Sequence, residues 1–312
     1  MSVSGVLYAR TTAQTEQLGD YFPHDHARSR AYRWGEDGLA GISDSRQLLC
    51  FALALWNGRD PILKERLFGL NNREGNHGED VKECYYYLDA TPTHSYLKML
   101  YKYPQRCFPY ASLIEENRRR DRNMPEFEIL DTDVFNENRY FDVYVEYAKD
   151  SPDDIQMLVT AHNRGPEQAS IYVLPQLWFR NTWSWGGESR KPELRLLRDG
   201  VVCAFHPLLG RYHFYADEHP GFLFCENETN PRRMHGRPEV AGYFKDAFHD
   251  FLIDRNYSAV NPEAIGTKAA AQYILKIPPG AAQSVRVGLF KKKRKDPFVS
   301  FGHVLGVSQG SG

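Results

Sequence analysis

The residues best suited to chemistry lie between Asn76 and Glu83, where an amide, a histidine, a lysine and several carboxylates follow one another. Amides and carboxylates hydrogen-bond sugar hydroxyls, and the tyrosines that begin at Tyr85 offer flat apolar faces to a sugar ring. The same side chains are equally suited to holding their own loop or docking a second domain. Both interpretations stay open for these candidate residues: Asn76, His77, Glu79, Asp80, Lys82, Tyr85 and His94.

A second candidate site is the tryptophan-rich run from Trp178 to Trp185. If this run were a strand, Trp183 and Trp185 would share one face and form a platform for a sugar ring. Arg180 lies in the same run and is a further candidate for sugar binding or for a domain interface. The alternative for these indoles is packing at the edge of the core or against a partner domain.

No catalytic residue is assigned. Glycoside hydrolysis needs two carboxyl groups roughly 5–9.5 Å apart, a spatial fact that the sequence does not contain. Glu79, Asp80, Glu226 and Glu228 are the acids considered, and we expect none of them to be catalytic. The segment 24–26, His-Asp-His, has no third ligand at a defined spacing, so we expect no metal and no cofactor.

These candidates must be positioned mainly by strands. Apolar and polar residues alternate from Phe141 to Tyr147, which predicts a half-buried strand. Residues 155–162 and 170–179 predict two more strands, and the short Gly/Pro turn between them predicts an antiparallel pair. Further strands are predicted at 48–55, 201–206, 212–216, 222–226, 272–277 and 284–290.

Helical patterning is sparse. Aromatic spacing predicts a helix over residues 239–252, and residues 94–103 could add a turn or two. Many strands and few helices predict an all-β fold, a large antiparallel β super-sandwich with long loops and one or two short helices. Residues 71–110 are expected to form one of the long loops.

Composition excludes several classes of protein. The 312 residues are 42% hydrophobic and 13% aromatic, enough for a sizeable core rich in β-structure. The net charge of −1 gives no general attraction to nucleic acid or anionic membranes, so we expect neither as a partner. The five scattered cysteines form no metal or disulfide pattern, and we expect a cytoplasmic protein.

Several stretches together resemble the N-terminal region of glycoside hydrolase family 63, the proteins related to processing α-glucosidase. The resemblance extends over most of residues 19–290. The matching stretches are residues 34–41, 52–70, 74–83, 87–105, 174–185, 226–230 and 266–273.

The resemblance implies a two-part enzyme. In such proteins an N-terminal β super-sandwich packs against a C-terminal (α/α)6 barrel, and two carboxylic acids on the barrel hydrolyse an α-glucosidic bond with inversion. Residues 298–312 depart from the family pattern, since they lack helical periodicity where a linker helix would begin. We therefore expect a chain that lacks its barrel, is inactive alone, and has no catalytic residue of its own.

The expected organisation is a flexible N-terminus (1–20), a super-sandwich domain (21–290) and a basic linker with an irregular tail (291–312). The expected partners are an α-glucoside or gluco-oligosaccharide and an (α/α)6 barrel in cis or in trans. A stand-alone carbohydrate-binding protein is the alternative. Without a barrel, the sandwich should expose an aromatic patch that includes some of Tyr85, Tyr96, Trp183 and Trp185.

Overall fold

The computed structural model describes residues 28–31, 36–70, 80–121, 123–186, 190–299 and 302. Within these residues there are sixteen strands: β1 (Leu39–Ser43), β2 (Leu49–Trp56), β3 (Gly69–Leu70), β4 (Asp80–Val81), β5 (Tyr85–Ala90), β6 (Tyr96–Pro104), β7 (Tyr140–Ser151), β8 (Asp154–Asn163), β9 (Ala169–Phe179), β10 (Glu193–Arg198), β11 (Val201–His206), β12 (Gly210–Ala216), β13 (Gly221–Cys225), β14 (Ile265–Gly266), β15 (Lys268–Ile277) and β16 (Ala282–Phe290).

Fourteen of these strands build two facing sheets. The nine-stranded sheet has the order β14-β10-β11-β12-β16-β8-β7-β6-β5, and the five-stranded sheet has the order β1-β2-β9-β15-β13. Strands β3 and β4 form a separate two-stranded ribbon, and neighbouring strands pair antiparallel. The all-β antiparallel sandwich predicted from the sequence is therefore confirmed.

The core lies between the two sheets. Alternate residues of β7, from Phe141 to Tyr147, are buried against alternate residues of β9, from Ile171 to Phe179. The Tyr147 hydroxyl crosses the sandwich and donates a hydrogen bond to the Ala40 carbonyl oxygen at 2.9 Å. The period-two pattern of each strand therefore decides which side chains fill the core and which face outward.

Three short α-helices lie wholly within the described part of the chain: α1 (Tyr110–Arg119), α2 (Pro231–His235) and α3 (Ala247–Leu252). Four 3-10 helices accompany them at Ile129–Asp131, Asp133–Asn138, Trp183–Trp185 and Tyr257–Ala259. The Asn230 side chain accepts hydrogen bonds from two backbone N–H groups at the start of α2, and Gly236 ends this helix at a φ of 59°. None of these helices is long and apolar enough to cross a membrane.

One helix prediction was too long, and another was wrong. The helix predicted at 239–252 is confined to α3, which starts at Ala247. Residues 94–103 are not helical, because β6 begins at Tyr96. In β6, Met99, Tyr101 and Tyr103 point into the core while the residues between them face outward, a period of two that the aromatic spacing obscured. Strands β5 and β6 also replace much of the long loop predicted at 71–110.

The predicted antiparallel pairing of β8 with β9 was also wrong. Strand β8 pairs with β7 and β16, whereas β9 belongs to the other sheet. The turn after β8 and the turn after β15 both cross between sheets, and buried Asn163 joins them. Its Nδ2 donates to the Ile277 carbonyl oxygen at 2.9 Å, and its Oδ1 accepts from Gly165 N at 2.9 Å. A short Gly/Pro turn therefore closes the end of the sandwich.

The start of the predicted basic linker lies against the sandwich. Arg294 pairs with Asp154 at 2.6 Å, and Lys291 Nζ donates to the Leu209 carbonyl oxygen at 2.9 Å. These contacts hold the first residues after β16 on the nine-stranded sheet. The strands themselves extend from Leu39 to Phe290, which lies inside the predicted 21–290 domain.

Candidate functional site

A polar pocket lies on the outer face of the five-stranded sheet. Its empty volume is about 280 Å³, a figure that includes the open solvent at its mouth. Gln176 and Trp178 point into it from β9, because their neighbours Leu177 and Phe179 face the core. The lining residues are Glu36, Asp37, Glu65, Arg66, Gln176, Trp178, Asn227, Lys245 and Lys268.

Lys268 and Glu65 form the ion pair at the floor of this pocket. Lys268, the first residue of β15, lies opposite Trp178 in the sheet, and its Nζ is 2.5 Å from Glu65 Oε1. Gln176 Nε2 donates to the same Glu65 oxygen at 3.1 Å. Burial alone would raise the pKa of Glu65, but the Lys268 ammonium and the Arg66 charge hold that pKa below its usual value.

Glu36 organises the opposite wall. One of its oxygens accepts a hydrogen bond from the Trp178 indole N–H at 3.0 Å, and the other accepts from Asn227 Nδ2 at 3.0 Å. Asn227 Nδ2 also donates to the Phe179 carbonyl oxygen at 2.9 Å. These hydrogen bonds fix the indole and the amide relative to the end of β9.

Lys245 completes a balanced set of charges. It is buried, and its Nζ donates to the Arg30 carbonyl oxygen at 3.0 Å. Burial lowers the pKa of Lys245; the Glu36 carboxylate opposes this shift, and Arg66 adds to it. Arg66 Nη2 lies 3.7 Å from Asp37 Oδ1. Three carboxylates and three cations therefore line one pocket, and their formal charges cancel.

A partly exposed cluster adjoins the pocket through residues 226–228. Asn227 lines the pocket, while its neighbours Glu226 and Glu228 bind Lys191 Nζ at 3.1 and 2.8 Å. Trp183 Nε1 donates to Glu228 at 2.7 Å. We call these four residues, Glu226, Glu228, Lys191 and Trp183, the Trp183 cluster.

The predicted tryptophan platform does not form as a strand face. Strand β9 ends at Phe179, and Trp183 and Trp185 lie in a 3-10 helix. Their partners differ: Trp183 belongs to the Trp183 cluster, whereas the Arg180 guanidinium stacks over the Trp185 ring at 5.2 Å. Trp185 is 37% exposed.

Asp80 and Lys82 belong to a separate ionic cage. Lys82 is buried, and its Nζ lies 2.9 Å from Asp80, 2.9 Å from Glu126 and 2.7 Å from Glu128. Burial alone would lower the pKa of Lys82, but hydrogen bonds to the three carboxylates raise it. The carboxylate oxygens lie within 4.8 Å of one another, a spacing that suits a cation, and the lysine ammonium occupies it. This arrangement is a structural clamp between β4 and the segment before Ile129.

The other predicted candidates lie apart from the pocket. Tyr85 is on β5, at the edge of the nine-stranded sheet, and its ring packs edge-on against Tyr87 at 5.7 Å. His94 adopts a φ of 51° in the turn between β5 and β6. Tyr96 is only 1% exposed, so it cannot belong to the predicted exposed patch. The candidates Asn76, His77 and Glu79, and the segment 24–26, lie outside the described residues.

A further group that could bind a metal is formed by His249, Asp250 and Asp254, whose ligand atoms lie within 4.8 Å of one another. Arg28 Nη1 donates to His249 Nε2 at 2.7 Å. A guanidinium at this distance repels a cation and uses the lone pair that a metal would need.

The chain is similar to a protein of known sequence from yeast. No family model matches the chain. The chain is 43% identical over 302 residues to "Uncharacterized protein YMR196W" of Saccharomyces cerevisiae. The match covers 85% of this chain and 28% of the yeast protein, so the chain spans less than a third of that relative's length.

The sequence does not identify this pocket as a site, although most of its lining residues lie in stretches that carry the resemblance. All the lining residues except Lys245 fall within the stretches that resemble family 63. The available signal was a polar residue inside an apolar strand: Gln176 interrupts the run from Val173 to Phe179, and Lys268 precedes three alanines. Such a residue indicates a buried polar partner from another part of the chain.

Proposed function

We propose that this chain is the non-catalytic sandwich domain of a larger α-glucosidase of the glycoside hydrolase family 63 type. In this proposal an (α/α)6 barrel, supplied in cis or in trans, carries the catalytic acids. The sandwich supports that barrel and lines part of its active site. The substrate would be an α-glucoside or a gluco-oligosaccharide, and the enzyme would act in the cytoplasm.

One observation carries the proposal. The stretches 34–41, 52–70, 174–185, 226–230 and 266–273 resemble the same family and are far apart in the chain, yet their polar residues converge on one pocket. The five stretches therefore contribute polar side chains to one place in the structure. The convergence supports a binding surface that belongs to the resemblance itself.

The length of the yeast relative also supports a larger protein. About seven-tenths of that protein lies outside the matched region, since 28% of it is covered. This leaves ample length for a second domain in the relative. The five cysteines, which are unpaired, support the cytoplasmic assignment, because that compartment keeps thiols reduced.

The chemistry left to the sandwich is positioning. An inverting reaction needs a protonated acid and a base with room for water between them. Two of the pocket's three carboxylates are instead engaged: Glu65 by Lys268 and Gln176, and Glu36 by two further donors. We infer that carboxylates held in this way fix the neighbouring residues in place.

The test uses a chimera. The matched region of the yeast relative is replaced by this chain, and glucose release from a panel of α-glucosides is measured for the chimera and for the isolated chain. We expect release by the chimera and none by the isolated chain. Substantial turnover by the chain alone, or no turnover by either the chimera or the intact relative, would contradict the proposal.

A matched pair of variants connects the pocket to the activity. Gln176→Met removes a hydrogen bond that holds the Glu65 carboxylate in the pocket, so we expect kcat/KM in the chimera to fall. Gln283→Met changes an exposed residue on β16 and should leave kcat/KM unchanged. Equal effects of the two changes on kcat/KM would show that the pocket is not part of the active site.

A stand-alone carbohydrate-binding protein is the second candidate. The exposed Trp185 ring, backed by the Arg180 guanidinium at 5.2 Å, favours it, since such rings stack on sugars. Calorimetric titration of the isolated chain with gluco-oligosaccharides separates the two proposals. Tight binding that is lost in Trp185→Ala supports the second candidate, whereas a half-site should bind weakly.

A further inference from the structure

An apolar row crosses the outer face of the five-stranded sheet. Trp56, Tyr172 and Ile274 lie directly opposite one another on β2, β9 and β15, so they form one line across three strands. The line points outward, because Ile171 and Val173, the neighbours of Tyr172, belong to the core. It ends at Ile274, which is 52% exposed. We call Trp56, Tyr172 and Ile274 the Tyr172 row.

Helix α3 covers only part of this face. Phe248 and Leu252 of α3 belong to the same buried cluster as Leu174, which lies two residues along β9 from Tyr172 and on the same side. Tyr172 itself packs against the margin of this cluster and stays partly exposed. The six residues of α3 span only about 9 Å. The helix therefore covers the middle of the face and leaves the Tyr172 row at the surface.

The chemistry of the Tyr172 row suits an apolar protein surface better than a sugar. The Trp56 and Tyr172 rings are 4.9 Å apart but tilted by 49°, so together they present no flat platform to a sugar ring. The Trp56 indole N–H already donates to the Asp60 carbonyl oxygen at 2.8 Å. Ile274 has no side-chain donor or acceptor for a hydroxyl group. Apolar and aromatic side chains that lie side by side are typical of the centre of a protein–protein interface.

The Tyr172 row lies on the same face as the polar pocket. Gln176 and Trp178 line the pocket from β9, and Tyr172 precedes Gln176 by four residues, about 13 Å along the strand. An interface between two domains that buries about 600–1,500 Å² is roughly 20–30 Å across. A domain that packs over the pocket therefore also reaches the Tyr172 row.

We propose that the Tyr172 row is a docking surface for an apolar face of a second domain of the longer protein. The yeast relative has the length for such a domain, since the match covers only 28% of it. The choice of a second domain, rather than a second copy of this chain, rests on the proposed function, which puts that domain over the pocket. The row contains none of the four aromatic residues that the sequence predicted for an exposed patch.

The test is native thiol labelling of Ile274→Cys with iodoacetamide, in the isolated chain and in the chimera with the yeast relative, read out by mass spectrometry of the labelled peptide. We expect the thiol to react in the isolated chain and at least about tenfold more slowly in the chimera, where the second domain blocks the reagent. Leu208→Cys is the matched control. Leu208 is 69% exposed in the turn between β11 and β12 of the other sheet, and its replacement should react equally in both proteins.

Three outcomes overturn the inference. The first is equal labelling of Ile274→Cys in the isolated chain and in the chimera. The second is protection in the isolated chain that grows with concentration as a dimer forms in sedimentation, which assigns the row to a second copy. The third is protection of the isolated chain by added gluco-oligosaccharide, which assigns the row to a sugar. If the chimera does not fold, cysteines at the aligned positions of the intact yeast protein decide the result, and equal labelling of the two positions there overturns the inference.

Glucose release separates this inference from the proposed function. Protection of Ile274→Cys in a chimera that releases no glucose supports the docking surface and contradicts the α-glucosidase assignment. Glucose release by a chimera in which Ile274→Cys is labelled as fast as in the isolated chain overturns the docking surface and leaves the assignment standing.

Discussion

The buried His249 should make the stability of the sandwich depend on pH. This residue lies in α3, is 3% exposed, and accepts a hydrogen bond from the Arg28 guanidinium at 2.7 Å. Burial, followed by the Arg28 charge, lowers the pKa of His249 from 6.5 to about 3. A guanidinium can only donate, so the contact itself requires an unprotonated ring nitrogen.

The direction of the pH effect follows from the linkage between proton binding and folding. A histidine whose folded-state pKa is depressed contributes stability that is fully present above its unfolded pKa and is lost as the pH falls toward the folded pKa. The window for His249 therefore runs from about 6.5 down to about 3. One proton costs about 1.4 kcal/mol per pH unit, so the loss between about pH 7 and about pH 4.5 is roughly 2.5 kcal/mol.

The assay is urea unfolding, followed by tryptophan fluorescence, of the wild-type chain and His249→Gln at both pH values. Glutamine does not titrate, so the free-energy advantage of the wild type should shrink by roughly 2.5 kcal/mol on going to the lower pH. The control His235→Gln changes an exposed histidine and should keep a constant difference from the wild type. If wild type and His249→Gln lose stability in parallel, the histidine is not buried in its neutral form.

Two further substitutions test other buried polar groups. Asn163→Ala removes the side chain that bonds the Ile277 carbonyl oxygen and joins the two crossovers, so the free energy of unfolding should fall by about 2–4 kcal/mol, against little change for exposed Asn256→Ala. If urea unfolding shows only a small loss of free energy for Asn163→Ala, the two crossovers do not depend on the Asn163 side chain. Lys82→Met leaves three carboxylates together and should lower the melting temperature, with recovery by millimolar Ca²⁺. An equal response of the wild type to Ca²⁺ would contradict the ammonium's place in the cage.

Strands were predictable here because their signal is local. Alternation from Phe141 to Tyr147 identifies both the strand and its buried face, and the structure agrees. The partner of a strand is not a local property, since alternation says nothing about which sheet a strand joins. The turn at 163–166 therefore predicted a hairpin, although β8 and β9 belong to opposite sheets.

The pocket could not be predicted from local sequence patterns for the same reason. Its central ion pair joins Glu65 and Lys268, which are far apart in the sequence. Trp178 was noted as one of a group of aromatic residues, but its role depends on an indole N–H that meets Glu36. By contrast, the dense charge around Asp80 and Lys82 predicted a binding site or a domain interface. In the structure these two residues form a structural clamp.

The order of strands in the five-stranded sheet also bears on how the protein is made. Strand β2 joins the rest of its sheet through β9, since Leu49 pairs with Phe179, and β9 in turn pairs with β15. More than a hundred residues must be synthesised between β2 and β9, roughly 5–25 s on the ribosome. During that interval the edge of the apolar segment from Leu49 to Trp56 that will pair with β9 stays open. The nascent chain is therefore a candidate client for chaperones that bind hydrophobic segments before the sheet can close.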